Sequence, residues 1–218
     1  MADNLYPKDN IYLMKKFPDL APEIYASYVA FSKAILQDGH LTRKEKEIIA
    51  VAVSHSTECP YCIDFHTKKA KKHGASLEEL FEAVMVTAAL EAGGAYAHRI
   101  HMHNSYEDKN NEALYSRVNL HNLNELTDLS TEVLHTTKAF FAAAAKAGKL
   151  TAKLKQLISV AVAHTTECPY CIESHTKKAK NEGSSKEELA EAIMVAALLR
   201  SGGAVTHATN MVKAYQEE

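Results

Sequence analysis

The chain repeats itself at a fixed offset of 109 residues, and this constrains its fold more than any single motif. Asp19-Leu20 recurs as Asp128-Leu129, Phe31 as Phe140, Leu41-Thr42 as Leu150-Thr151, Gly93-Gly94 as Gly202-Gly203 and His98 as His207. Between Leu41 and Met102, 38 of 62 positions are identical to their partners. That is a tandem duplication, and two copies are too few for a solenoid. A length of 218 residues suits two units of about 100–110 residues each. The expectation is a pair of similar domains, residues 1–110 and 111–218, packed with pseudo-symmetry.

Each unit reads as helical. Glycine and proline are few, and no Asn-Gly or Asp-Gly hairpin signal separates alternating runs. Residues 1–17 show no periodic pattern and read as a lead-in arm. From Asp19 to Gln37, Ile24, Tyr28, Phe31 and Ile35 recur at helical spacing before Asp38-Gly39. Thr42 with Glu45 forms a capping box that opens a helix to about Ser56. Its middle, IIAVAV, has strand character, but a capped, charged first turn leading straight into it predicts helix. Cys59 is placed as an N-cap, with Pro60 at the first helical position and Gly74 as the stop. Ser76 with Glu79 caps the next helix, whose apolar stripe is Leu77, Leu80, Phe81, Val84 and Met85. Gly93-Gly94 predicts a break before a further helix, giving five helices per unit. NSYEDKNNEA at 104–113 reads as the linker.

All four cysteines lie in two copies of one motif: STECPYCIDFHTKKAK at 56–71 and TTECPYCIESHTKKAK at 165–180. Cys59, Cys62 and His66 fall at i, i+3 and i+7, on one face of a helix; Cys168, Cys171 and His175 repeat the arrangement. A thiol reacts as its thiolate, which a helix N-terminus stabilises and a nearby histidine can generate. The two-residue spacing also allows an intramotif disulfide. The N-cap position favours Cys59 as nucleophile, and proximity to His66 favours Cys62. In a reducing compartment such thiols are catalytic or metal-binding rather than a disulfide framework. Structural zinc is the rival reading, but a closed site needs a fourth ligand, and these motifs open helices rather than turns.

Glu47, on the preceding helix, can reach His66 if the two helices pack antiparallel; otherwise it is a surface carboxylate of the charged turn RKEKE. Its partner in the second copy is Gln156. His55 and His164 read as packed histidines, and His98 and His207 as candidates to line the site. The run Lys68–Lys72 reads as a solvated face. His98, His101 and His103 form a weak metal pattern that the second copy does not keep.

Glu47, eleven residues, Cys59-Pro60-Tyr61-Cys62, three residues and His66 together resemble the core motif of the alkylhydroperoxidase D-like branch of the carboxymuconolactone decarboxylase family. Gly93–His98 and Gly202–His207 (GGA-x-x-H) are similar to that family too. The resemblance covers about residues 20–103 and 129–212. It implies an all-α fold, homo-oligomers often built from trimers, and thiol-dependent reduction of hydroperoxides. By this resemblance Cys62 and Cys171 attack the peroxide, Cys59 and Cys168 donate a proton and resolve, and Glu47 with His66 relays protons. Two departures stand out: Tyr61 and Tyr170 occupy a position often held by histidine, and Gln156 replaces the glutamate. The decarboxylase branch generally lacks the cysteine pair.

The expected function is therefore a peroxidase or disulfide oxidoreductase, with no cofactor and no metal. Its partners would be a small hydroperoxide, a thiol or dithiol reductant protein, and further copies of itself, most simply as a trimer. The alternatives are a decarboxylase of a small lactone and a zinc-binding or redox-responsive structural protein. A net charge of −2 gives no footing for nucleic acid. No apolar run approaches the roughly 18 residues that span a bilayer, and the start lacks a signal-peptide pattern, so a cytoplasmic location is expected.

Overall fold

The computed structural model describes residues 6–109, 113 and 115–217. It is 79% helical, with ten α-helices and no strand among the described residues. A 3₁₀ segment, Lys8–Lys16, leads into α1 (Phe17–Leu20), α2 (Pro22–Ile35), α3 (Arg43–Ser56), α4 (Pro60–Lys72) and α5 (Leu77–Tyr106). The second half holds α6 (Val118–Glu125), α7 (Thr131–Ala145), α8 (Ala152–Thr165), α9 (Pro169–Asn181) and α10 (Lys186–Gln216).

The caps read from sequence are present. Thr42 and Ser76 each form a capping box, with Glu45 and Glu79 returning to the cap N–H, and Ser185 does the same with Glu188. IIAVAV is helical, and α3 is buried continuously from Lys46 to Ser54, as α8 is from Leu154 to Ala163. A helix apolar on every side belongs at the centre of a fold. Here α3 and α8 pack on each other and on both long helices, α5 and α10.

Three expectations need correction. Gly93-Gly94 and Gly202-Gly203 do not break their helices: α5 runs 30 residues and α10 runs 31. A mid-helix glycine costs only about 1 kcal/mol, and tertiary packing on both flanks outweighs it. Five α-helices per half still result, because the short α1 and α6 take the place of the expected break. The apolar stripe of α5 is also rotated. Leu77 and Phe81 are exposed, while Leu80, Ala83, Val86 and Leu90 face the core. Finally, the lead-in arm is part of the repeat. Its 3₁₀ segment packs on α10, and the 109-residue offset continues through it, pairing Tyr6 with Tyr115 and Asn10 with Asn119. The linker is correspondingly shorter, since α5 absorbs its first residues; residues 110–112 lie outside the described residues.

The halves interlock through their long helices. α10 crosses onto the 3₁₀ segment, α2, α3 and α4 of the first half; α5 crosses onto α7, α8 and α9 of the second. Against the expectation that no apolar run approaches a membrane span, both helices are long and apolar enough, by length and composition, to cross one; here they pack across the opposite half. A reciprocal latch fixes the crossing. Glu191 on α10 accepts from the backbone N–H groups of His40 (3.0 Å) and Leu41 (2.9 Å) and pairs with buried Lys46 at 2.9 Å. Glu82 on α5 does the same to Lys149 (2.8 Å), Leu150 (3.1 Å) and buried Lys155 (3.0 Å).

Candidate active site

Each motif is set by a sharp turn between two packed helices. Glu58 (φ 53°) and Glu167 (φ 57°) adopt the left-handed conformation that non-glycine residues rarely accept. Cys59 N–H then donates back to Ser54 O, and Cys168 N–H to Ala163 O, both at 3.3 Å. This places Cys59 and Cys168 as N-caps of α4 and α9. Each cap sulfur accepts from the backbone N–H of the second cysteine, Cys62 or Cys171, at 3.3 Å. Pro60 and Pro169 occupy the first helical position.

The sulfurs within each motif face one another. Cys59 and Cys62 are disulfide-paired, with Cα atoms 5.3 Å apart. Cys168 and Cys171 are free, with sulfurs 2.6 Å apart. All four are buried. In the free pair, the hydrogen bond from Cys171 holds the Cys168 thiol down at about 6. Burial opposes this, while the Cys171 backbone N–H and nearby His98 add to it. Cys171 is pushed the other way by Cys168 and by burial, so it keeps its proton. The two shifts are opposite in sign and favour charge on Cys168 and the proton on Cys171.

One turn past Cys62 on α4, His66 joins a buried charge network with α3. Glu47 is wholly buried, which removes the surface-carboxylate reading. Its Oε2 is 2.7 Å from His66 Nδ1, and its Oε1 accepts from Arg43 Nε (2.9 Å) and Nη2 (2.6 Å). Burial works against the charge on Glu47. The hydrogen bond and charge of His66, with the Arg43 guanidinium, outweigh it and hold the carboxyl below its usual range.

The second site is built on the same plan without charges. Gln156 Oε1 is 2.9 Å from His175 Nδ1, and Ala152 stands where Arg43 does. Arginine and glutamate are absent together, so no buried ion is left unpaired. Burial, with the charge of Lys178 behind it, pushes His175 down to about 4. Glu167 does not restore the carboxylate: it is exposed and pairs with Arg200.

Each site is completed by the other half. Thr206 on α10 lies against both sulfurs of the first pair. The Tyr61 hydroxyl is 3.3 Å from both Pro7 O and Asn210 Oδ1, and its ring meets Tyr6 and His207 at 6.1 and 6.0 Å. Around Tyr170 gather His98, His101 and Tyr115, with ring centroids at 6.0, 5.8 and 5.5 Å, and Asn119, which donates to its hydroxyl at 2.8 Å. His98 and His207 therefore do reach the motifs, across the interface. His55 and His164 instead have Nδ1 2.8 Å from a carbonyl of their own helix, Val51 O and Val160 O. Lys68, Lys71 and Lys72 are exposed, and Lys69 is half-buried against the Phe65 ring.

The sequence reading missed Arg43, Thr206, Asn210 and the pairs Tyr6/Tyr115 and Asn10/Asn119. Only the last two pairs had a legible signal, the repeat offset continued upstream. The partners of Arg43, Thr206 and Asn210 in the other copy are Ala152, Ala97 and His101.

The sequence profile of the carboxymuconolactone decarboxylase family matches residues 22–101 and again 131–214. An uncharacterised protein of the cox locus of Paracoccus denitrificans is 47% identical over 98 residues, 45% of this chain and 87% of that protein. The uncharacterised protein H16_B0147 of Cupriavidus necator is 37% identical over 73 residues, 34% of this chain and 63% of that protein. Among solved structures, a Burkholderia xenovorans LB400 protein provisionally assigned as a gamma-carboxymuconolactone decarboxylase subunit superposes with a TM-score of 0.73. It is 18% identical and covers 93% of this chain and 90% of its own, a likeness of fold. With both halves matched by the same profile, the chain belongs to the carboxymuconolactone decarboxylase family.

Proposed function

We propose that this chain is a thiol-dependent peroxidase or disulfide reductase of the alkylhydroperoxidase D-like branch. The observation that carries the reading is a buried dithiol at a helix N-terminus, backed by the Glu47–His66 pair at 2.7 Å. Such a site can hold a thiolate, move a proton and close a disulfide without rearranging its backbone. In the proposed cycle the proton of Cys62 passes to Cys59, and the Cys62 thiolate attacks the terminal oxygen of R–O–O–H. The S–O bond forms, the O–O bond breaks, and the leaving alkoxide takes the proton from Cys59. The Cys59 thiolate then attacks the Cys62 sulfenic acid, forming S–S. The hydroxide that leaves takes a proton from His66, held in orientation by Glu47, and departs as water. Two electrons from a thiol or dithiol reductant, a protein in the simplest case, reset the pair.

The same reading takes a small hydroperoxide as substrate, the cytoplasm as location and a homo-oligomer, most simply a trimer, as the working form. Exposed apolar side chains support the oligomer. Neither α2 nor α7 has a fully buried residue, and Leu20, Ile24, Phe81 and Met211 are exposed. Light scattering at micromolar concentration should give the mass of several chains; a monomer would remove this part of the proposal.

The functional test is hydroperoxide consumption by reduced protein with a panel of monothiol, dithiol and protein reductants. Turnover lost in the Cys59→Ser and Cys62→Ser variants is expected. No consumption with any reductant would overturn the peroxidase reading. A second reading, decarboxylation of a small lactone, draws on the assignment of the Burkholderia protein, but gives the dithiol no work. Lactone turnover that survives removal of all four cysteines would favour it.

A further inference from the structure

The relay of the proposed function is drawn from α3 and α4 of the first half. A different polar group touches the sulfurs, and it belongs to the other repeat. Thr206 Oγ1 is 3.4 Å from Cys59 Sγ and 3.7 Å from Cys62 Sγ. Hydrogen bonds to sulfur are long, and both distances fall in their range. The hydroxyl's own hydrogen has a resting acceptor, since Oγ1 is 2.9 Å from Gly202 O and 3.2 Å from Gly203 O. Both contacts are made with the pair closed as a disulfide; once it is reduced, a hydroxyl so placed presents its lone pairs to a thiol S–H and can swing its hydrogen onto a thiolate.

We propose that Thr206 is a catalytic residue of the first site, supplied across the repeat interface, whose hydroxyl bridges the two sulfurs and hands a proton from one to the other. As the Cys62 S–H proton moves onto Thr206 Oγ1, the hydroxyl hydrogen passes to the Cys59 thiolate. The result is a Cys62 thiolate and a Cys59 thiol, with Thr206 unchanged and no net change in charge. The neutral hydroxyl also avoids placing a second charge beside a buried thiolate.

The second site has no such group. Position 97 on α5, the partner of 206, is alanine, which has no hydroxyl to set against Cys168 and Cys171. The substitution is confined to one side of the duplication, as are Arg43/Ala152 and Glu47/Gln156. All three place the member that carries charge or a transferable proton at the first dithiol. Around that dithiol the titratable groups are Arg43 and Glu47 on α3, Tyr61 and His66 on α4, His207 on α10, and Tyr6 ahead of the 3₁₀ segment. All of them are kept in the variants below, so a difference between variants isolates the hydroxyl.

This inference rests on the first pair working as a dithiol, and its test does not require peroxide. In a Cys168→Ser/Cys171→Ser background the reduced protein is alkylated with iodoacetamide across pH 4–10. Thr206→Val keeps the shape and removes the hydroxyl; Thr206→Ser keeps the hydroxyl. A hydrogen bond to a charged group is worth enough to move a titration by about one unit. Thr206→Val should raise the alkylation midpoint by about that amount and slow alkylation about tenfold below it, while Thr206→Ser stays near the parent. Should Thr206→Val fail to fold, Thr206→Ala reads the same quantity, since the sister helix carries alanine there. An unchanged midpoint in the hydroxyl-free variants, or an equal shift in Thr206→Ser, overturns the role of Thr206 and leaves the peroxidase reading standing. A shifted midpoint in protein that consumes no hydroperoxide keeps Thr206 in place and removes that reading instead.

Discussion

At the scale of single residues, the two dithiols are unequal in what can stabilise charge beside them. The first has Glu47, Arg43 and Thr206; the second has Gln156, Ala152 and Ala97. Glutamine holds the imidazole in place but cannot balance an imidazolium, and positioned acid–base help is typically worth about 10²–10⁴-fold. Turnover should therefore fall by at least about tenfold in Cys62→Ser and only slightly in Cys171→Ser, assayed with one reductant. The reverse ranking would show that the second site does the work. Glu47→Gln should bring the first site toward the second. His175 leads to a separate prediction about stability. Its folded value of about 4 lies below the ordinary 6.5, so between those values the unfolded chain binds more protons and stability rises with pH. The contribution is complete above pH 6.5 and is lost as pH falls toward 4, about 3 kcal/mol in all. Urea titrations at pH 7 and 4.5 should show a loss that His175→Gln reduces, and an identical loss in that variant would reject the assignment. Cysteines, histidines and Glu47 were legible because their spacing is itself chemistry. Thr206 was not, because a threonine 147 residues from Cys59 acquires meaning only once α10 is laid across α4.

Among the elements, capped helices were legible and the long ones were not. A capping box is a local contract between residues three apart, so Thr42/Glu45 and Ser76/Glu79 could be read directly. Whether Gly93-Gly94 ends a helix depends on what packs on either side, and the sequence window does not contain that. The same holds for the latch. Glu82 and Glu191 read as ordinary helix-surface acids, yet each holds two backbone N–H groups and a buried lysine of the other half. Their carboxyls lie below the usual range: burial opposes the charge, and these partners outweigh it. Gly39 and Gly148 belong to the same device, since a Cβ at either would overlap the latching carboxylate. Glu191→Ala would leave Lys46 buried without its counter-charge and the part-buried Leu41 N–H unmet, a loss of about 3 kcal/mol. Chemical denaturation should register this loss, and Gly39→Ala should lower stability in the same direction. A change below about 1 kcal/mol in Glu191→Ala would mean the latch is ornamental.

For the whole molecule, the duplication promised two domains in sequence, and the structure interlocks them. The first dithiol is covered by α10 and the second by α5. A half expressed alone keeps its cysteines, capping boxes and central helix but loses the long helix that covers its motif. It also loses the carboxylate that latches the loop before that central helix. A second copy of the same half can supply both. Glu82 is the partner of Glu191 in the repeat, and His98 is the partner of His207, so residues 1–110 carry the long helix and the latch that another copy of themselves needs. The Paracoccus relative, in which 98 matched residues make up 87% of the length, is about one repeat long. Residues 1–110 should therefore fold only as a dimer, with a melting temperature that rises with protein concentration. Such a dimer would place Ala97, not Thr206, over each Cys59–Cys62 pair, and His101 in place of Asn210. Its thiols should then titrate without the hydroxyl, as in Thr206→Ala of the full chain. A half that unfolds cooperatively as a monomer, with a transition independent of concentration, would show that the crossing helices decorate two self-sufficient domains rather than join one structure.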